Sequence, residues 1–341
     1  MKQTTNEMMT IPQVSELIQS GAALYLAASE NCLKQLPHGQ WIGGTIPYFM
    51  TDAGGLISNE KILVTKISAK MKNINIVTYD EKNLNEIPKN YYKNGVSLIL
   101  IPAFSEIHLQ YAKECTTWPG VFDQPLVGWV TGVDLSISTE TPKVVNGQTG
   151  DILLNYALVM HIELPDGLIA SANIINIFEQ SDGDFIEFSE TGFDVQTAFV
   201  NGQEVILADY ILKNKIDTQL PLVADYMGAM INVSFRDIDH KNQKVRFYAP
   251  VFPGVKYQIA KPFENYEKQF ESVLKKQHIE TPFFACNCIL NFLYGNLEGK
   301  KSGHVISAMT FGEIAYMLLN QTFVYITVSP SPVSLKNGFE K

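Results

Sequence analysis

Two short segments late in the 341-residue chain carry the residue types and spacings best suited to chemistry. The first is Cys286-Asn287-Cys288. Residues two apart on a strand share a face, so both thiols point the same way. Facing a cleft, a thiolate there is a nucleophile or a soft ligand, with His304 the nearest histidine along the chain. Inside a core strand the same pair packs as small apolar side chains. The second segment is Thr310-Phe-Gly-Glu313, which has the spacing of a capping box: the Thr310 hydroxyl would accept from the Glu313 amide while the Glu313 carboxylate bonds back to the Thr310 amide. It predicts a helix starting at Thr310, an N-terminus suited to a small anionic or polar ligand, with Gly312 allowing close approach.

A third segment, Gly43-Gly44-Thr45 leading to Tyr48, has the exposed amides that can cradle a phosphate. It lacks both the Gly-x4-Gly-Lys-Ser/Thr and the Gly-x-Gly-x-x-Gly patterns, and a tight strand-to-loop turn explains it as well. The expected ligand-binding set is therefore Gly43, Gly44, Thr45, Tyr48, Cys286, Cys288, Gly312 and Glu313. Other chemistries lack their residues. None of His38, His108, His161, His240, His278 and His304 has a partner at the i, i+4 spacing of a helical metal site, so no metal is expected. Ser181-Asp-Gly-Asp-Phe-Ile-Glu187 places neither Gly nor Glu where a calcium loop needs them. There is no Gly-x-Ser-x-Gly elbow. No cofactor is expected.

The elements that must position these residues are mostly strands. Apolar runs predict strands at 22–28, 62–67, 74–78, 96–101, 153–163, 169–178, 282–289 and 323–328. A hairpin is expected at 231–252 around the polar turn Asp239-His-Lys-Asn242. Helices are expected at 11–20, opened by Thr10 with Pro12 in its first turn, and at 29–36, 105–114, 207–213 and 263–277. Strands outnumber helices and several are joined by hairpins. The expected fold is α+β, with two lobes whose largely antiparallel sheets are flanked by helices. Two turn clusters near 180–205 place the division between residues 1–190 and 191–341. No internal repeat is visible.

Composition narrows the function. Net charge is −9, with 26 basic residues scattered among 35 acidic ones, which argues against a nucleic-acid partner. No apolar run approaches the ~20 residues of a membrane span, and the first twelve residues do not read as a secretory signal. Four cysteines are too few to staple a chain of this length, so a reduced, cytoplasmic setting is expected.

The run Ser302-Gly-His-Val-Ile-Ser-Ala-Met-Thr-Phe-Gly-Glu-Ile314, followed by Leu319-Asn-Gln-Thr-Phe-Val324, resembles the end of FIST domains. These finish with an aromatic-rich Gly-Glu-Ile segment and an Asn-x-Thr strand. Phe311-Gly312-Glu313-Ile314 and Asn320-Gln321-Thr322 match. Pro282-Phe-Phe-Ala-Cys286 is similar to the family's strand ending in Cys. Val200-Asn-Gly-Gln203, Phe252-Pro-Gly-Val255 and Ile42-Gly-Gly-Thr-Ile-Pro47 extend the likeness upstream. The chain departs from the pattern after the cysteine, where an Arg is usual and Asn287-Cys288-Ile289-Leu290 has none. The resemblance implies a divergent FIST N plus FIST C sensory protein. Such a protein binds small molecules such as amino acids inside the cell and signals through a partner protein or a homo-oligomer. The alternative is a cysteine-dependent hydrolase or transferase using Cys286 or Cys288.

Overall fold

Strands rich in β-branched and aromatic residues dominate a computed structural model that describes residues 4–137, 139–226, 229–276, 282–301 and 305–331. The structure is 43% strand and 17% helix, so α+β holds as a class while the helical flanking is modest. Most of the expected elements are present within a few residues of their predicted bounds, including the strand Ile62–Ile67 and the helices Ile11–Gln19, Glu106–Glu114, Leu207–Asn214 and Tyr266–Lys276.

The architecture is a repeat that the sequence hides. Three units have the same strand plan. In each, an edge strand leads through a helix to an inner strand, then through a second helix to a strand parallel to the inner one. A hairpin follows, and a return strand closes the unit. Parallel pairing needs such a crossover, which the second helix supplies.

In the first unit the order is Thr4–Met9, Leu24–Ala28, Trp41–Thr45, the hairpin Tyr48–Thr51 with Gly54–Ile57, and Ile62–Ile67. In the second it is Asn73–Tyr79, Gly95–Pro102, Leu126–Thr131, Val144–Asn146 with Ile152–Leu153, and Ala157–Glu163. In the third it is Leu168–Ile175, Phe284–Cys288, Ser307–Thr310, Glu313–Ala315 with Met317–Leu319, and Phe323–Pro330.

Each unit builds a sheet in the order edge, return, inner, parallel, and each parallel strand then accepts a hairpin from another unit. The first accepts the second unit's hairpin, the second accepts the third's, and the third accepts the first's. The exchange is cyclic. It pairs the edge that each parallel strand would otherwise leave open, and it makes each unit depend on its neighbours.

Between Ile175 and Tyr266 the third unit carries an insertion with its own two sheets. One contains Ile186–Glu187, Thr197–Val200, Gln203–Ile206, Leu222–Tyr226, Ala229–Val233 and Tyr257–Ile259; the other contains Gly192–Val195, Phe235–Asp239 and Lys244–Val251. The expected hairpin around Asp239 is the pairing of the last two of these strands. Sheets join residues from both sides of the expected division at 190: Leu168–Ile175 pairs with Phe323–Pro330, and Glu313–Ala315 pairs with Leu126–Thr131.

The inner faces of the three sheets form one large apolar core, while the outer faces of the first and third sheets make separate clusters under their helices. Among the described residues no helix is long and apolar enough to cross a membrane.

Candidate functional site

The hairpin register aligns the three units residue by residue. Gly44, Trp129 and Ala308 hold one position on the parallel strands, opposed by Val144, Glu313 and Phe49 of the incoming hairpins. Their partners on the inner strands are Ala27, Leu100 and Cys286. One residue further along the inner strands stand Ala28, Ile101 and Asn287. One residue back on the parallel strands stand Gly43, Gly128 and Ser307.

The third unit is therefore polar where its siblings are not. Glu313 takes the place of Phe49 and Val144, Asn287 that of Ala28 and Ile101, and Ser307 that of two glycines. The fold satisfies these positions twice with hydrocarbon or hydrogen, so it does not itself demand polar groups there.

Glu313 is fully buried. The capping-box expectation is corrected: Thr310 ends a strand, Phe311 and Gly312 turn, and Glu313 begins the next strand. No helix starts there, because the third unit's hairpin must pair with Leu126–Thr131. The Thr310 hydroxyl still lies 3.2 Å from Glu313 Oε1. Thr322 donates its amide at 3.1 Å and its hydroxyl at 2.9 Å to Oε2. The Cys288 thiol completes the set. Burial pushes the Glu313 carboxyl up to about 8, and these donors pull the other way.

Both thiols lie on the core side of the strand, as alternation predicts, with Ala285 in the outer cluster. Cys286 donates to Gly128 O at 3.3 Å. Cys288 receives backbone N–H groups from Gln321 and Leu290 and faces Glu313. Burial, and then the Glu313 carboxyl, hold both thiols well above the usual range. They are protonated at neutral pH, which removes the thiolate that nucleophilic chemistry needs.

The insertion reaches this cluster through Asn320 and Gln321. Asn232 donates to Asn320 O at 3.0 Å, and Ser234 donates to Gln321 Oε1 at 2.6 Å. Gln321 has φ +50, an uncommon conformation for a residue other than glycine, and these contacts hold it beside Thr322.

The remaining expected residues are all enclosed. Tyr48 accepts from Leu135 N at 2.9 Å and packs its ring on Phe292. Gly312 accepts from Val130 N through its carbonyl. Gly43, Gly44 and Thr45 sit mid-sheet in the first unit, not in a phosphate-binding loop: Gly43 faces Leu33, Gly44 faces Trp129 and Thr131, and the Thr45 hydroxyl bonds the Lys143 backbone. They do not join the Glu313 cluster. His304, with Ser302 and Gly303 of the terminal motif, lies outside the described residues.

Sequence reasoning passed over Asn287 and Ser307 on the other face of the same strands, Asn291 on the helix Ile289–Tyr294 that follows, and Tyr266 on the helix Tyr266–Lys276. Asn291 donates to Asn287 Oδ1 at 2.8 Å, but its own Oδ1 has no partner. The Ser307 and Tyr266 hydroxyls are buried without partners too. The one available signal was the i, i+4 spacing of Asn287 and Asn291.

Three surface clefts of about 550, 510 and 360 Å3 involve none of the expected site residues. Among the described residues no group of three or more His, Cys, Asp or Glu side chains converges as a metal site would.

Fold and site together define a closed ring of three β-rich units, with a buried polar cluster around Glu313 in the third, contacted by the insertion through Asn232 and Ser234. The chain belongs to a family of unknown function, DUF6976, whose model matches residues 9–329. No curated protein matches it.

Proposed function

We propose that this protein is an intracellular small-ligand-binding sensory module of the FIST type. The observation that carries the reading is the polarity of the third unit at three register-matched positions where the other two units are apolar or glycine. Asn287, Ser307 and Glu313 replace apolar residues or glycine at register-matched positions, and buried polar atoms beside them are left unbonded. Unsatisfied buried groups cost about 1–3 kcal/mol each, so a chain keeps them where they serve something else. The Asn232 and Ser234 contacts to Asn320 and Gln321 offer a route by which the insertion senses the site. A signalling partner or a second copy of the chain would read that change. The cysteine-enzyme alternative is weakened by the enclosure and protonation of both thiols.

A thermal-shift screen with amino acids and related metabolites tests the reading, because a ligand that prefers the native state raises Tm with its concentration. A saturable upward shift is expected. Silence across a broad metabolite library overturns it.

A further inference from the structure

We propose that the cleft at the junction of the first and second units binds the phosphoryl group of a small phosphomonoester, held by Lys66 with Ser68 and Lys72. The site is separate from the polar cluster of the third unit and does not depend on it.

The cleft measures about 550 Å3 and opens where the first unit's return strand, Ile62–Ile67, passes into the second unit's edge strand, Asn73–Tyr79. Its other wall is the link from the helix Ile11–Gln19 to the strand Leu24–Ala28. A space of this size suits a small organic molecule.

Charge selects the class of ligand. The chain carries −9 overall, yet Lys66, Lys70 and Lys72 follow one another closely with no acid between them. Lys66 and Lys72 line the cleft, and among its lining residues there is no Asp or Glu. Lys66 is half-buried, and among the described residues its ammonium group has no ion pair.

One structural use for Lys66 would be to cap the nearby C-terminus of the helix Ile11–Gln19. The backbone has already done so: Glu16 O accepts from Ser20 N, Leu17 O from Ala22 N, and Ile18 O from Gly21 N. Register gives a second contrast. Lys66 pairs with Leu24, and the matching pair in the second unit is His161 with Ser97. There Tyr79 and Ser97 bond both ring nitrogens of His161 and enclose it. The first unit puts a full charge at that position and leaves the space beside it open.

The remaining groups fit a tetrahedral oxyanion. The Ser68 hydroxyl accepts from Lys70 N at 3.3 Å and keeps its own hydrogen to give. Gln40 Nε2 donates one hydrogen to Ile74 O at 3.3 Å and has a second. Lysine binds phosphate as a point charge, whereas the arginine fork matches planar carboxylates, and no arginine lines the cleft. Lys72 pairs with Asp166 at 2.6 Å, but Asp166 is 91% exposed, and so exposed a pair yields readily to a dianion. Met71 and Ile74 supply apolar wall for the organic part.

The experiment is calorimetric titration of the whole protein at constant ionic strength. The probes are glycerol 3-phosphate, phenyl phosphate, inorganic phosphate and succinate. At least one ester is expected to bind saturably, with Kd on the order of 1 mM or tighter. Inorganic phosphate and succinate should bind more weakly. Lys66→Met keeps the aliphatic stem, removes the charge, and should weaken the ester about tenfold or more. Ser68→Ala should weaken it about threefold. Lys241→Met, in an exposed turn of the insertion, changes net charge equally and should leave binding intact. All three sites are on the surface, and circular dichroism checks each fold. Four results overturn the proposal: no saturable binding of either ester, equal losses in Lys66→Met and Lys241→Met, unchanged affinity in Ser68→Ala, or succinate binding as tightly as the ester. So does inorganic phosphate binding as tightly as the ester, since the cleft then holds an adventitious ion only.

Discussion

The indole of Trp129 occupies the space that a side chain on Gly44 would need: a Cβ there would stand 2.4 Å from the ring. The two residues hold the same register position in different units, with Ala308 the third member. One unit supplies the bulk, another gives way, and the third stays small. This is how three similar sheets close on one core without a void at the centre.

Gly44→Ala is accordingly expected to overpack the centre and cost about 1–3 kcal/mol in urea unfolding. The second variant is the diagnostic one. Trp129→Leu alone should leave a cavity and destabilise the protein. Combined with Gly44→Ala it should cost less than the two single changes added together, since residues in direct contact couple. Strict additivity would show that the units are not packed through this pair.

The Glu313 clasp invites a similar test. Thr322→Val removes the hydroxyl donor but keeps the shape, leaving a buried carboxyl one bond short at a cost of about 1–3 kcal/mol. Glu313→Leu imitates the apolar residues of the other two units. With the carboxyl gone, Thr322→Val should cost markedly less in the Glu313→Leu background than in the native one. Equal costs in both backgrounds would mean that the two residues act independently, contrary to their geometry.

Much of this was legible along the chain. Alternation placed both cysteines on one face, and apolar runs located most strands. What misled was Thr310-Phe-Gly-Glu313. Its two side chains do touch, hydroxyl to carboxylate, but neither makes the side-chain-to-backbone bond of a capping box, and the backbone runs as a strand because the second unit's open edge claims it. Pairing partners more than 180 residues away leave no local mark. The repeat is invisible for a related reason. Equivalent positions hold Gly, Trp and Ala, or Phe, Val and Glu, because each unit packs against a different neighbour. Only hydrogen-bond register exposes the correspondence.

The thiols give a chemical check. Cys286 and Cys288 are buried and protonated at neutral pH, so iodoacetamide should modify them only as fast as the protein opens. Labelling at pH 7.5 should be slow and should accelerate in mild urea in parallel with unfolding. Rapid native-state labelling of either residue, ahead of Cys32, would restore the cysteine-dependent enzyme.

Finally, two buried histidines set an acid limit. His161 lies between Tyr79 OH at 2.9 Å and Ser97 Oγ at 2.8 Å, with Asn90 and Gln124 extending the chain at either end. His108 accepts from Phe104 N through Nδ1, and its Nε2 has no partner. Burial pushes both imidazoles down to about 4. Their folded pKa values therefore lie below the unfolded value of about 6.5, and the native state favours the neutral rings. Their contribution is complete above pH 6.5 and is lost as pH falls from there towards 4. By pH 5 each costs about 2 kcal/mol relative to neutral pH. In the Glu313→Leu background, which removes the opposing effect of a carboxyl held near 8, urea midpoints measured from pH 7.5 to 5 should fall steadily, before most other carboxylates begin to titrate. His161→Gln should lower stability at neutral pH by breaking the Ser97–His161–Tyr79 chain, and it should also flatten the pH dependence by roughly half. A flat profile over that range in the Glu313→Leu background would show that neither histidine is held neutral by the fold.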